Sequence, residues 1–465
     1  MLKSINPFSG IVNAEFEEET SSVVKQKLKK SAHAFSKWET VSFEERAKRM
    51  KKLAEILLKE KGKHAQLITE EMGKLIGESR AEIEKCAWVC KFYAENAEKM
   101  LAKEFVSTHP TVSQIHYEPL GTVLGVMPWN FPYWQVFRFA APSIMAGNVC
   151  ALKHASNVPL CSLEIEKLFL RAGFPEGVFQ SLMISSKQVS TVIRNPIIKA
   201  VTLTGSETAG KKVASLAGKY LKKSVLELGG SDPFIVLSDA NISNAVEKAV
   251  TARMLCCGQS CIAAKRFIVH ESVEENFTQQ LIERLKSFSF GNPIDEKTNH
   301  SPLARIDLVD DLKLQVEKSI SKGAEKIYQQ SNGIPANTQT IAQETPLQTR
   351  GNFFPITVLR NVKPSSPAFK EELFGPVFCI TTFKTEKEAI KLANKTKYGL
   401  GASIWSKNAK HAHELAEQIE AGNVCVNKIV RSDPRMPFGG IKNSGYGREL
   451  GEFGIKEFVN VKAVS

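Results

Sequence analysis

The chain reads as an α/β protein of more than one domain, with parallel sheets covered by helices on both faces. Three observations lead to this class. At 465 residues it is too long for a single compact core, so two or three domains are expected. Its composition, 43% hydrophobic and 24% charged, is that of an ordinary globular protein able to bury a core in each domain. From Gly121 onward, short β-rich runs alternate with helix-patterned stretches, the signature of strands lying parallel between covering helices.

The first hundred residues are helical in pattern. Apolar residues recur at three and four positions in VVKQKLKKSAHAF and in MKKLAEILLKEKGKHAQLI, with charge on the opposite face. Helices of this kind suit a layer around a sheet. Between Phe105 and Glu118 the pattern changes to alternation, with Val112, Ile115 and Tyr117 spaced by polar residues. Such a ribbon is half-buried at best and reads as an arm whose edge another subunit covers.

At Gly121 the α/β region begins. GTVLGVM is a strand, PWNFPYW a loop fixed by its prolines, FRFAAPSIMAG a helix ending at Gly147, and NVCALKH a strand. A helix from Leu160 to Ala172, a strand at Val178 to Ile184, a helix through Val189 to Arg194 and a strand at Ala200 to Thr204 follow. The last strand runs straight into Gly205 and Ser206 and then a helix. Helix N-terminal amides favour anions, so phosphate could bind there; a plain glycine and serine cap explains the same residues. SVLELGGSDPFIV carries one acid, Glu227, at the end of an apolar strand beside Gly229 and Gly230. A lone carboxylate in that setting is costly unless it works or is paired.

A helix from Ile242 to Met254 leads into MLCCGQSCIAAK. Cys261 follows Gly258 and Gln259 in a turn where backbone can approach a small substrate, which points to a nucleophile whose reactive form is the thiolate. The competing reading makes Cys256, Cys257 and Cys261 small core residues. Cys257 would lie one helical turn before Cys261 if the segment were helical. RFIVH opens a second α/β segment, with helices near Val273 to Phe288 and Leu312 to Gly323, then TVLRNV, EELFGPVFCITTF and the helix Thr385 to Asn394. Asn332 to Thr349, rich in Gln, Thr, Asn and Pro, reads as a surface excursion. The glycine-rich end turns β-like and would pair with the 105–118 arm.

The net charge of +13 raises the question of an acidic partner, but the lysines are spread along the chain and no nucleic-acid motif is present. Nine cysteines, an odd number in a long chain, suit reduced thiols in the cytoplasm better than a disulfide framework. The N-terminus lacks an apolar signal region, and the most apolar stretch, Pro119 to Leu152, is broken by prolines and Arg138, so neither secretion nor a membrane span is expected.

Five motifs occur in order along the chain: PWNFP at 128–132, LELGG at 226–230, GQSC at 258–261, EELFGPV at 371–377 and PFGGIKNSGYGRE at 437–449. In this order and at these spacings they resemble the aldehyde dehydrogenase superfamily over essentially the whole chain. The resemblance implies NAD(P)-dependent oxidation of an aldehyde to a carboxylic acid. It implies a Rossmann-like cofactor domain (1–104 and 122–228), a catalytic domain (229–427) and a β-arm (105–121 and 445–465) that builds homodimers or homotetramers. No metal is implied.

By the same resemblance, Cys261 is the nucleophile, Asn130 the oxyanion donor and Glu227 the general base. Lys153 and Ser156 contact the adenosine ribose, Gly205 and Ser206 the pyrophosphate, and Glu372 and Phe374 the nicotinamide side, with Trp129 near the cofactor. Ser156 cannot repel a 2′-phosphate as a carboxylate would, so NADP is accepted as well as NAD. Length and C-terminal motif are most similar to bacterial succinate-semialdehyde dehydrogenases. Arg138 and Ser432 match residues that bind the substrate's second carboxylate there; the other reading of Arg138 is a salt bridge on its helix. A further arginine of some members is Leu255 here, with Arg253 two residues earlier, which leaves room for a broad aliphatic or betaine-type enzyme. A non-catalytic descendant is the reading from another class; intact Cys261, Asn130 and Glu227 speak against it.

Overall fold

The computed structural model describes residues 1–109, 111–331 and 351–465, so the 332–349 excursion lies outside the described residues. Helices Ser21–Trp38, Phe43–Lys59, Lys61–Met72 and Ile76–Met100 form the N-terminal layer. Each of the first two is capped by a hydroxyl, Thr20 and Ser42, that accepts from a backbone N–H in the first turn.

Two large sheets organise the rest of the chain. In the six-stranded sheet the order is Gly445–Tyr446, Lys223–Glu227, Ile198–Thr204, Thr122–Val126, Val149–Lys153 and Phe179–Ser181. All its pairings are parallel except that of the Gly445–Tyr446 edge. The chain starts at Thr122–Val126, steps outward twice, then returns to the other side at Ile198–Thr204. The strand order therefore reverses between these two neighbours, and ligands of open α/β sheets bind beyond the carboxyl ends of strands at such a point. The loops leaving those ends carry Trp129 and Asn130 on one side and Gly205 and Ser206 on the other.

The seven-stranded sheet runs Glu325–Gln329, Thr357–Arg360, Val377–Phe383, Ala264–His270, Asp232–Val236, Gly401–Trp405 and Asn423–Val426, parallel but for its first strand. Its central strands are almost wholly buried, because apolar clusters cover both faces.

A third, antiparallel sheet joins Val459–Val464 to Thr111–Pro119 and that strand to Glu104–Thr108. The pairing of the chain's end with the alternating ribbon is thus as the pattern led us to expect. Phe105, Val112 and Val461 stand exposed on it. Two boundaries differ from the sequence reading. The strand expected over 178–184 is limited to Phe179–Ser181, and the one expected within 371–383 begins only at Val377, after Gly375 and Pro376. Among the described residues no helix is long and apolar enough to cross a membrane, and no group of His, Cys, Asp or Glu is placed to hold a metal ion.

Candidate active site

The segment between Met254 and Cys261 does not continue its helix. Cys256, Cys257 and Gly258 have φ of 56°, 54° and 75°, three successive residues in the left-handed region. Only glycine adopts that region without cost, and a Cβ on residue 258 would run into the carbonyl oxygen of Gly375. Cys257 is therefore not one helical turn below Cys261. Buried polar groups hold this turn. Glu78 accepts the Cys256 N–H at 3.1 and 3.2 Å through its two oxygens. The Gln259 side chain donates to the Cys256 carbonyl at 3.0 Å and accepts the Ala304 N–H at 2.9 Å. The Lys265 ammonium donates to the carbonyls of Ser260, Cys261 and Ala263 at 2.9, 2.8 and 3.2 Å.

The turn delivers Cys261 to the N-terminal end of strand Ala264–His270. Beside it lies the N-terminal end of Val377–Phe383, which brings Glu372 and Phe374 to the same edge. Opposite stands the switch point of the six-stranded sheet. Asn130 bridges the two, its side-chain amide donating to the Gln259 carbonyl at 2.9 Å. Glu227 ends strand Lys223–Glu227, buried, and neither of its carboxylate oxygens has a hydrogen-bond partner.

Electrostatics follow from this burial. Desolvation pushes the Cys261 thiol up to about 12, against the opposing pull of Arg138 and Lys265. Burial and the neighbouring Glu449 together hold the Glu227 carboxyl well above the usual range. Arg138, buried in helix Trp134–Met145, forms an ion pair with Glu449, donates to Thr204 Oγ1 at 3.3 Å and lies over the Phe438 ring.

Two cavities meet at the cysteine. One, of about 250 Å³, is a groove along the switch point lined by Trp129, Asn130, Gly205, Ser206, Glu227 and Phe374 among others. The other, of about 260 Å³, is walled by Phe131, Trp134, Ile262, Leu255 and Phe438, with Arg138 and Ser432. Cys261 and Gln135 line both.

The groove suits a dinucleotide. Ser206 caps helix Glu207–Lys219 by accepting the Ala209 N–H, which leaves the other N–H groups of the first turn without an intrahelical acceptor. A Cβ on Gly205 would meet only Leu203, so the backbone there stands open. Glu207, the acid at that terminus, is neutralised by Lys211 and Lys397 at 2.7 and 2.6 Å. Glu372 accepts the Gly230 N–H at 3.0 Å, and Phe374 packs edge-on to Trp129. Lys153 and Ser156 lie outside this groove, at the end of strand Val149–Lys153 and in the exposed turn after it.

Sequence reasoning missed Glu78, Gln135, Lys265 and Lys85, which also lines the second cavity. Glu78 and Lys85 sit in a charge-rich helix where nothing marks one residue from its neighbours. Gln259 could have been found, since a glutamine between glycine and an apolar run must find buried partners.

The sequence profile of the aldehyde dehydrogenase family matches residues 1–464. A probable succinate-semialdehyde dehydrogenase, NADP+-dependent, from Synechocystis sp. is 48% identical over 463 residues, covering 100% of this chain and 99% of the relative. A succinate semialdehyde dehydrogenase of Escherichia coli K12, acting with NAD(P)+, is 41% identical over 461 residues, covering 99% and 97%. Among solved structures, succinic semialdehyde dehydrogenase from Streptococcus pyogenes in complex with NADP+ superposes with a TM-score of 0.94 at 35% identity, covering 100% of this chain and 99% of that one.

Proposed function

The chain belongs to the aldehyde dehydrogenase family, and from that premise we propose that it oxidises succinate semialdehyde to succinate with NADP+, and more weakly with NAD+. The observation that carries the reading is that one thiol, Cys261, lines both the groove at the switch point and the apolar cavity.

Each group has its own part in the reaction. Cys261 loses its proton to solvent to give the thiolate. Sγ then adds to the aldehyde carbon. The new oxyanion is met by the Asn130 amide and the backbone N–H of Cys261, donors already fixed before reaction; loss of one such donor commonly costs about 100- to 1000-fold in rate. The bound cofactor supplies the hydride acceptor at this point. Glu372 and Phe374 would hold its nicotinamide end, Gly205, Ser206 and the following helix its pyrophosphate, Lys153 and Ser156 its adenosine ribose, with Trp129 packed beside Phe374. Oxidation leaves an acyl group on Sγ as a thioester. Glu227, once ionised, takes a proton from the water that cleaves it and passes that proton to the Cys261 thiolate as the acid departs. Arg138 and Ser432 face the substrate from the second cavity. Ser156 offers a 2′-phosphate a hydroxyl instead of a repelling carboxylate, and the Lys153 ammonium attracts it.

By this reading residues 1–104 and 122–228 form the cofactor domain, 229–427 the catalytic domain, and 105–121 with 445–465 the arm. Within the last stretch, Gly445–Tyr446 pairs with the six-stranded sheet and Val459–Val464 with the ribbon. The exposed apolar residues of the ribbon support a homodimer or homotetramer; a monomer in sedimentation would refute it. Nine free thiols suit the reducing cytoplasm. A panel of aldehydes with and without an ω-carboxylate, run with each cofactor and followed by reduced-nucleotide absorbance, tests the function. Succinate semialdehyde with NADP+ should give at least about tenfold higher kcat/KM than butanal, whereas parity would leave a broad aliphatic enzyme.

A further inference from the structure

If the substrate carries a second carboxylate, something in the cavity beside Cys261 must receive it, and the cations nearby differ in how far they are already paired. Arg138 is tied to Glu449 and Thr204, with its guanidinium over Phe438. Arg253 does not line the cavity; fully buried, it donates through its terminal nitrogens to the carbonyls of Ala264, Leu373 and Gly375. Leu255 presents only an apolar side chain to the cavity. Lys74 is buried against Glu82.

Lys85 is different. It lies on helix Ile76–Met100, lines the same cavity as Cys261, and has no ion pair among the described residues. Its ammonium sits 4.3 Å from the centre of the Trp134 ring and donates to Ser432 Oγ at 2.7 Å. An ammonium has three N–H donors, so two remain for a ligand. The Ser432 hydroxyl, accepting from Lys85, keeps its own proton to donate. Together they form a cationic, hydrogen-bond-donating end to an apolar cavity, with Arg431 exposed at its mouth.

We propose that Lys85, braced by Ser432, is the anchor for the distal carboxylate of the aldehyde substrate. The proposal rests on the semialdehyde reading and adds a specificity residue to it. Burial, reinforced by the charges of Arg138 and Arg431, pushes the Lys85 ammonium down to about 8, while Cys86 and Glu82 act the other way. Glu78 also lines the cavity, and Asp433 feels the Lys85 charge. Below about pH 8 Lys85 is cationic and holds a carboxylate; above it the charge is lost. Dividing kcat/KM for succinate semialdehyde by that for butanal removes the titration of Cys261 and Glu227, which both substrates share.

Two variants, Lys85→Met and Lys85→Arg, are assayed with both aldehydes from about pH 6.5 to about 9.5. Losing one charged partner should lower the ratio about tenfold or more in Lys85→Met, mainly through KM for the carboxylate-bearing aldehyde. In the parent the ratio should fall above about pH 8, and Lys85→Arg should keep the ratio and abolish that fall. A parent that prefers succinate semialdehyde together with a Met variant of unchanged ratio overturns the anchor and leaves the substrate reading standing. A parent with no preference overturns the substrate reading, and the anchor with it.

Discussion

Cys261 rests as a neutral thiol, since burial pushes it up to about 12, and Glu227 is likewise held in its protonated form to higher pH than an ordinary carboxyl. In the proposed reaction both groups must give up a proton before they act. The reactive fraction of such a thiol grows about tenfold for each unit of pH below its own value. With butanal, which lacks a carboxylate for Lys85, kcat/KM should therefore climb steadily between about pH 6 and 9; a flat or falling profile would contradict these assignments. Cys261 stood out in the sequence as a thiol in a glycine turn and Glu227 as a lone carboxylate ending an apolar strand, while Asn130 was singled out only by the PWNFP resemblance; the structure brings the three to one groove. Lys85 did not stand out, because a lysine in a charged helix looks the same whether it faces water or a cavity. Arg138 stood in the sequence as a charge within the most apolar stretch, but its pairing with Glu449 joins residues far apart in the chain, and no local pattern encodes that.

The element that matters most is the left-handed turn at Cys256 to Gly258. Two non-glycine residues there cost on the order of 1–2 kcal/mol each, and Glu78, Gln259 and Lys265 hold them in place. Gly258→Ala adds a Cβ against the Gly375 carbonyl, so the turn or the neighbouring strand must move. We expect a loss of about 2–4 kcal/mol in stability, measured by denaturant unfolding, and activity reduced by at least about 100-fold, because Cys261 hangs from this turn. A variant with parental stability and rate would show that the turn does not position the thiol. The sequence announced a glycine turn but not its handedness, since cysteine has no left-handed preference and only tertiary partners impose it. Strand ends were less legible for a similar reason: Pro376 and Gly375 delay the strand that the apolar run from Leu373 suggested.

At the scale of the molecule, the proposed site lies where the carboxyl ends of one parallel sheet face the amino ends of another. Alternation of strands and helices made both sheets legible, and the reversal of strand order explains why Trp129, Asn130, Gly205 and Ser206 converge. The two-residue edge Gly445–Tyr446 escaped notice because so short a strand has no period to read. The net charge of +13 proved uninformative about the site, whose chemistry depends on a few buried groups. The central claim is that the acyl group passes through Cys261 on its way to water. Glu227→Gln should form the thioester but hydrolyse it slowly, so after incubation with succinate semialdehyde and NADP+ and an acid quench, peptide mass spectrometry should find a succinyl group on the Cys261 peptide at close to one per chain, with a matching burst of NADPH. NADPH formed without an adduct, or an adduct on Cys256 or Cys257 with Cys261 unmodified, would contradict the account.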